Sequence, residues 1–534
     1  MWLNSFILRN MKTALTPLVL ATAFAISTGC TSTSPVAEDK QVNVISAVLK
    51  NSKSSDFEKQ AAVQKLKELA EQGNAAAQAL YGDCLLFNTP MDAGDAADKN
   101  APNIFRIEDD KEAVKWYRKS AEQGNAAGQF GLGCCYLCGR GIQQDYKSAV
   151  DLLKKSAAQG HADAQCDLGT LFQQGLGVSK DETEAIKWWR LSAEQKNPGA
   201  QATLGWCYLT GTGVQKNEVE SVKWYRLGAD QGNADAQIGL GTAYYYGQGV
   251  AKDFKEAAKW IRMAAEQGNS HAQTILAWDY VTGIGVQKNE SEGVKWYRLA
   301  ADQGDTTAQV SLGAAYYYGN GAAKDIKEAI KWYRLSAAQG NPQAQAMLGW
   351  FYLTGTGVQK DAAEAFKWSR LAADQGDADA QYRLGTMFET GQGVPKDEIE
   401  AVKWYRKSAE QGLAMAQDWL GLKLIQGAGV QKDEVESAKW RRKAAEQGYA
   451  PAQLALAGAL AYGIGVPKDE AEGVKWMRKA AEQGLVDAQY GMGYMLEKGQ
   501  YGVSKDEAEA VKWYRKAAEQ GYENAKEALH RLGQ

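Results

Sequence analysis

DEAEAVKWYRKAAEQG, Asp506 to Gly521, stands near the end of the chain, and near-copies of it run back through the sequence. Aligned on their Lys-Trp pair, the copies place Trp at 116, 188, 224, 260, 296, 332, 368, 404, 440, 476 and 513. The step is 36 residues, doubled once where Leu152 holds the Trp position, and 37 at the last step. Lys65 holds that position in a further copy, AVQKLKELAEQG, which makes thirteen in all. A fixed period of roughly 20–50 residues marks a stack of like units, each unable to bury its apolar face alone.

The quoted segment is a helix by its own chemistry. Asp or Asn stands seven residues before the Trp and Glu follows three later, from Asp109/Glu112 and Asp181/Glu184 to Asn217/Glu220 and Asp506/Glu509. The spacing predicts an acidic capping box: the first side chain accepts from exposed backbone N–H groups and the Glu reaches back. Ala510, Trp513 and Ala517 mark one face, and Gln520-Gly521 ends the helix, because glycine tolerates the left-handed C′ conformation. A second helix precedes each capping box. In AQATLGWCYLTG, Ala200 to Gly211, the recurring Leu204, Gly205 and Tyr208 fall on one side, and small Gly205 admits a neighbouring helix closely. The link Gly211-Thr-Gly213-Val214 then turns the chain. Each unit is therefore helix A, a short turn, helix B and another short turn. Complete pairs number twelve, with half-units at both ends.

These residues resemble the Sel-one-like repeat family, relatives of the tetratricopeptide repeats. The pattern LGxxYxxGxGVxxD followed by AxxWYRKAAEQGxxxAQ stands nearly unbroken in most copies, over roughly residues 57–534. The resemblance implies an all-α, right-handed α/α superhelical solenoid of about twelve repeats. It also implies a scaffold that binds a protein or peptide along a concave face lined by helix A.

Length alone would suggest three or four domains, and the repeat overrides that prior. Net charge is −3 and the basic residues are spread through the repeats, so nothing suggests a nucleic-acid groove. The N-terminus reads as separate from the fold. Lys12 precedes an apolar run from Ala14 to Ile26, too short to span a bilayer and suited to a secretory signal over residues 1–29. Met11 competes with Met1 as the start. Ile26-Ser-Thr-Gly29-Cys30 resembles the lipobox of bacterial lipoproteins, which makes Cys30 the lipid attachment site. Ser27 stands where Leu is usual, and ordinary secretion is the alternative. Thr31 after the Cys favours the outer membrane by the same resemblance. Residues 30–40 read as a tether, and 41–534 as the solenoid. The one large irregularity is 87–108, an inserted loop or a flap over one rim, and residues 524–534 read as a C-terminal cap.

Besides Cys30, the cysteines are Cys84, Cys134, Cys135, Cys138, Cys166 and Cys207, all in the first five A helices or their ends. Cys84, Cys135 and Cys207 share one register, where small apolar packing is an open alternative to bridging. In an exported chain a disulfide is expected among Cys134, Cys138 and Cys166, whose helices are neighbours. Their spacing matches no standard zinc pattern, no His joins them, and His161, His271 and His530 are far apart. No catalytic set, metal site or cofactor is therefore expected. A cysteine-rich branch of the resembled family has been linked to penicillin binding and weak β-lactamase activity. The cysteines here are not paired in every repeat and no Ser-x-x-Lys occurs, so a cell-wall or β-lactam hydrolase is the alternative reading rather than the main one.

A longer period overlies the shorter. QATLGWCYLTGTGVQK at 201, QTILAWDYVTGIGVQK at 273 and QAMLGWFYLTGTGVQK at 345 are near-copies 72 residues apart. They place Trp206, Trp278 and Trp350 five residues after the Gln, and the repeats between place Tyr246 and Tyr318 nine after it. Both positions lie roughly opposite the Leu-Gly-Tyr core on a helical wheel. Recent duplication accounts for the period. Large aromatics on a face opposite the core predict an exposed binding stripe. The reading is an exported, lipid-anchored scaffold of the bacterial envelope, whose ligand is a protein, a peptide or an envelope glycan.

Overall fold

The structure, a computed structural model, describes residues 39–51, 53–87 and 107–533. These residues form 27 helices and no strand. The all-α repeat architecture expected from the period is the one observed. The chain divides into two compact units, residues 1–300 and 301–534. Unit 1 opens with the helix Lys40–Lys50, a B-type helix Asp56–Glu71 and the pair Ala75–Phe87 and Ile107–Glu122. It continues through regular pairs such as Pro198–Thr210 with Glu218–Asp230. Unit 2 runs from the A helix Thr306–Tyr318 to the pair Val486–Lys498 and Glu507–Glu519, and ends in the short helix Glu523–Arg531. From Ala126 to Glu519 every helix is 13 residues long, so each turn and each contact recurs in one register. The signal segment, Cys30 and the bulk of the 87–108 insertion lie outside the described residues.

Local chemistry sets the ends of each helix. Asn197 accepts from Ala200 N–H at 2.9 Å to start an A helix, and Asn217 accepts from Glu220 N–H at 3.1 Å to start a B helix. Gly211, at φ 83°, closes the A helix by donating its N–H to Cys207 O. Two expectations are corrected. The reciprocal capping box forms at Ser55/Glu58. In repeats such as those of Glu184 and Glu220 the Glu turns instead to the Lys three residues on, Lys187–Glu184 at 2.7 Å and Lys223–Glu220 at 2.9 Å. The Lys of the Lys-Trp pair competes for the carboxylate and wins on proximity. Asp109 is no cap at all, because its helix already begins at Ile107. The end of the presumed tether also belongs to the fold. Asp39 caps Lys40–Lys50 and accepts from the Asn74 side chain.

Within each unit, A helices such as Pro198–Thr210 pack on their own B helix, on the B helix before them and, in some repeats, on the next A helix. The residue after the Trp fills the space between. Tyr225 is 1% exposed, and a Cβ at Gly205 on one side or Gly239 on the other would collide with its ring. The same pairing sets Tyr117 against Gly82 and Gly131. Small residues at these two registers are therefore what lets the Tyr sit at the centre.

A hydrogen-bonded rung runs beside this core. Gln201, 2% exposed, donates to Ala193 O at 3.1 Å and accepts from Gln231 Nε2 at 2.7 Å. It thereby ties the preceding B helix, its own A helix and its own B helix. Gln345 does the same in unit 2, to Ala337 O at 3.3 Å and from Gln375 at 2.8 Å. Removing one partner strands the others in a dry interior. Gln201→Ala is expected to cost about 1–3 kcal/mol. Hydrogen exchange should show the loss concentrated in the helices Glu182–Glu194 and Glu218–Asp230, and unchanged protection there would contradict the role of the rung.

Candidate interaction surface

The structure separates the five aromatic residues of the expected stripe. Trp206 and Trp278 are each 6% exposed and belong to the core. Trp206 clusters with Cys207 and Trp260, and Trp278 with Ile238 and Ile275. Trp350 is half-buried against Tyr317, ring centroids 5.8 Å apart and nearly perpendicular. The expectation of exposed tryptophans is thus corrected for Trp206 and Trp278. Opposite the core is not the same as open, because the preceding A helix covers this side. Tyr245 there hydrogen-bonds Trp278, and Tyr317 stands at the equivalent position before Trp350.

The tyrosines behave differently. Tyr246 and Tyr318 are 40% and 48% exposed, because each is the last residue of its A helix and reaches past the packed layer. Each heads a small aromatic cluster. Tyr246 meets Tyr245 at 5.4 Å, and Tyr245 meets Phe254 at 5.1 Å. Tyr318 meets Tyr317 at 4.7 Å. Sequence reasoning missed Tyr462, which holds the same register and is 69% exposed. The signal was there: Tyr462 also stands nine residues after its Gln.

The outer faces of the B helices carry two arrangements. Where the A helix offers Tyr at its core position, the Arg two residues after the Trp bonds that hydroxyl, as in Arg190–Tyr208 at 2.7 Å and Arg334–Tyr352 at 3.1 Å. Where Leu stands there instead, the Arg reaches the Glu of the next B helix, as in Arg442–Glu472 at 2.6 Å. That Glu also takes the indole N–H of Trp476 at 3.1 Å. Leu191 and Leu227 in unit 1 and Leu335 and Leu371 in unit 2 are exposed, three residues after the Trp. Lys443 and Lys479 at that register instead lie over the Trp ring, 4.2 and 4.1 Å from its centroid.

Four cysteines, Cys84, Cys134, Cys135 and Cys207, are buried packing residues. All six in the described part are thiols, which corrects the expected bridge among Cys134, Cys138 and Cys166. Cys134 is buried and turns its Sγ to Asp167, 3.9 Å away, while Cys138 is exposed at its helix end. Burial pushes the Cys207 thiol up to about 12, which leaves little thiolate for chemistry. His161 caps the helix Ala162–Gln174 and stacks on Phe130 at 4.6 Å. Burial lowers its imidazole to about 4. Among the described residues no group of three or more His, Cys, Asp or Glu could hold a metal ion. No helix there is long and apolar enough to cross a membrane.

Unit 1 also buries carboxyls. Asp279 is 1% exposed with Oδ1 unpaired, and burial pushes it up to about 8. Its value is raised above that of the unfolded chain, so the folded state holds the proton more tightly. Its stabilising contribution is full in acid and is lost as pH rises through the folded value. Denaturation of wild type should therefore become easier between about pH 4, near the unfolded value, and about pH 8, the folded one, and Asp279→Asn should flatten that slope. An unchanged slope would place the titration elsewhere. Trp278→Ala is expected to destabilise the fold by about 3–5 kcal/mol, as for other buried large-to-small changes. A melting midpoint equal to wild type would show that Trp278 is not core.

Comparison with known proteins follows the geometry. The Sel1 repeat family matches twelve spans of this chain, from 104–125 and 126–161 through to 486–522. Among solved structures, one is described as a protective antigen present in uropathogenic Escherichia coli strains displaying an SLR fold. It is 34% identical to this chain over 87% of this chain and 97% of its own, with a TM-score of 0.64. A Sel1 repeat protein from Oxalobacter formigenes is 33% identical over 64% of this chain and 99% of its own, with a TM-score of 0.46. No curated protein matches. With its matched spans filling most of the sequence from residue 104 onward, the chain belongs to the Sel1 repeat family.

Proposed function

We propose that this protein is an exported scaffold, anchored by a lipid at Cys30, that holds a partner protein on tyrosines at the ends of its A helices. The observation that carries the reading is the exposure of Tyr246 and Tyr318, at one register, each heading an aromatic cluster. Tyrosine supplies large contact area with a polar tip, which suits a surface that is wet when free and dry when bound. Such aromatic anchors carry much of the energy of protein interfaces. Sel1 repeat proteins generally mediate protein–protein interactions, which favours a protein partner over a glycan. Four of the six described thiols are buried and His161 serves as a helix cap, which does not favour the hydrolase reading. Export rests on the apolar run from Ala14 to Ile26 and the Gly29-Cys30 junction. The 34%-identical relative being a protective antigen is consistent with it.

Both parts are testable. Envelope extract passed over immobilised wild type, Tyr246→Ala and Tyr318→Ala should show, for each variant taken by itself, about tenfold less of a protein that wild type retains, with melting unchanged. Equal retention by all three would sink the tyrosine assignment. Cys30→Ala should move the protein from the membrane to the soluble fraction. A wild type already soluble, or a mature N-terminus other than Cys30, would remove the anchor.

A further inference from the structure

From Trp116 onward the repeat step is broken once, between Trp476 and Trp513, where it is 37 residues instead of 36. The extra residue falls in the turn Gly499-Gln500-Tyr501-Gly502 of unit 2. In the preceding repeats the second Gly of this turn presses on the B helix before it. A Cβ on Gly429 or Gly465 would collide with the carbonyl oxygen of Glu398 or Glu434. Gly502 has no atom within 4 Å of that position, so it stands clear of that helix, while Tyr501 and Val503 on either side pack against the C-terminal core. Tyr501 is held at φ 57°, a left-handed backbone that a side chain of this size rarely adopts. Strain of this kind persists where surrounding contacts impose it, and it collects at functional positions.

What the strained turn achieves is a juxtaposition of aromatics. Tyr501 meets Tyr462, their hydroxyls 3.0 Å apart, with ring centroids 6.2 Å apart and planes at 86°. Tyr462 is 69% exposed, so this bond fixes a side chain that packing does not. Tyr494 stands beside them, 39% exposed. It occupies the register of Trp278 and Trp350, but the residue at the register of Tyr245 and Tyr317 is Ala461, too small to cover it. Gly458, one turn before Tyr462 on the same face, has nothing within 4 Å of where its Cβ would be. The result is an open V of two perpendicular tyrosine rings with a third ring and an empty step beside it.

We propose that this notch docks a proline-rich segment of the partner in the polyproline II conformation, a specification that rests on the scaffold reading above. Aromatic-lined grooves take such segments because the helix is preformed and loses little entropy on binding. Perpendicular rings make a slot that receives the edge of a pyrrolidine, whereas a sugar ring stacks flat on a single platform. The polyproline II backbone leaves every carbonyl unpaired. In the Tyr462–Tyr501 pair one hydroxyl donates to the other, and the acceptor keeps its own proton to give outward. Glu470 lies within electrostatic reach of Tyr501, and its bond to Lys468 at 2.6 Å is a surface pair that a ligand cation can exchange. A basic residue flanking the prolines is therefore favoured.

The experiment is calorimetric titration of the full chain with deca-proline, with deca-proline carrying one terminal Arg, and with an N-acetylglucosamine tetramer. Wild type is expected to bind deca-proline. Tyr462→Ala, whose exposed side chain is not needed for folding, and deletion of Tyr501 should each weaken binding by about tenfold or more. Tyr246→Ala should leave it unchanged. The Arg should tighten binding in wild type and not in Glu470→Gln. Absence of deca-proline binding at millimolar concentration, equal binding by Tyr462→Ala, or binding of the sugar tetramer that Tyr462→Ala abolishes would each overturn the notch. If the notch fails while retention of a partner still depends on Tyr246 or on Tyr318, the scaffold reading stands. If that retention also ignores those tyrosines, both fall.

Discussion

The buried glutamine rung is the constraint on which the array depends. Gln201 has a donor and an acceptor to satisfy, and within the core only Ala193 O and Gln231 Nε2 are in reach. Meeting both fixes the A helix between two B helices in one rotation and one height. The same bonds recur at Gln165, Gln237, Gln381 and Gln453, whatever residue fills the centre of the repeat. That centre does vary. Tyr225, Ile261, Tyr333 and Met477 all occupy it, and the facing glycines or alanines adjust the space. Apolar packing alone would allow such different side chains to shift the helices. A polar rung that is costly to break holds the spacing while the core changes.

Much of this was legible. Helix pairs, their caps, the Gly turns and the small Gly205 follow from residue types at fixed spacing, because each is a local rule read against a period. The rung was not, although its Gln served as the origin of every register. A buried Gln–Gln contact joins residues 30 apart, and nothing local distinguishes it from a solvated amide. The reach of Glu184 was also misjudged. A capping Glu with a Lys three residues on has two partners, and sequence spacing does not rank them.

The tryptophan positions show where a helical wheel stops being informative. A wheel divides a helix into a core face and a free face, which suits a helix packed on one side. An A helix in this array is packed against two B helices and often against its A neighbours, so Trp278 lies opposite one core and inside another. Only length along the axis escapes this. Tyr246 and Tyr318 are exposed because they end their helices, not because of the angle at which they leave them. Position along the axis, more than rotation about it, is therefore the coordinate that predicts surface in a stacked repeat.

The same view explains why departures from the period carry more functional information than the period does. A residue that recurs in every unit is constrained by the neighbours that also recur, and its identity is accounted for by packing. The Tyr-to-Leu change on the A helix re-routes the Arg from a hydroxyl to a carboxylate, as at Arg190 and Arg442, yet the fold is the same on both sides of it. Such exchanges alter the chemistry of the outer face at little structural cost. The extra residue at Tyr501 is of another kind. It gives up the contact that Gly465 makes and accepts a left-handed backbone, and in return Tyr501 packs half-buried against the C-terminal core. Where the stack breaks its step, the residue gained is a half-buried tyrosine bonded to the exposed Tyr462, so the departure changes what the surface presents while the helices on either side keep their register.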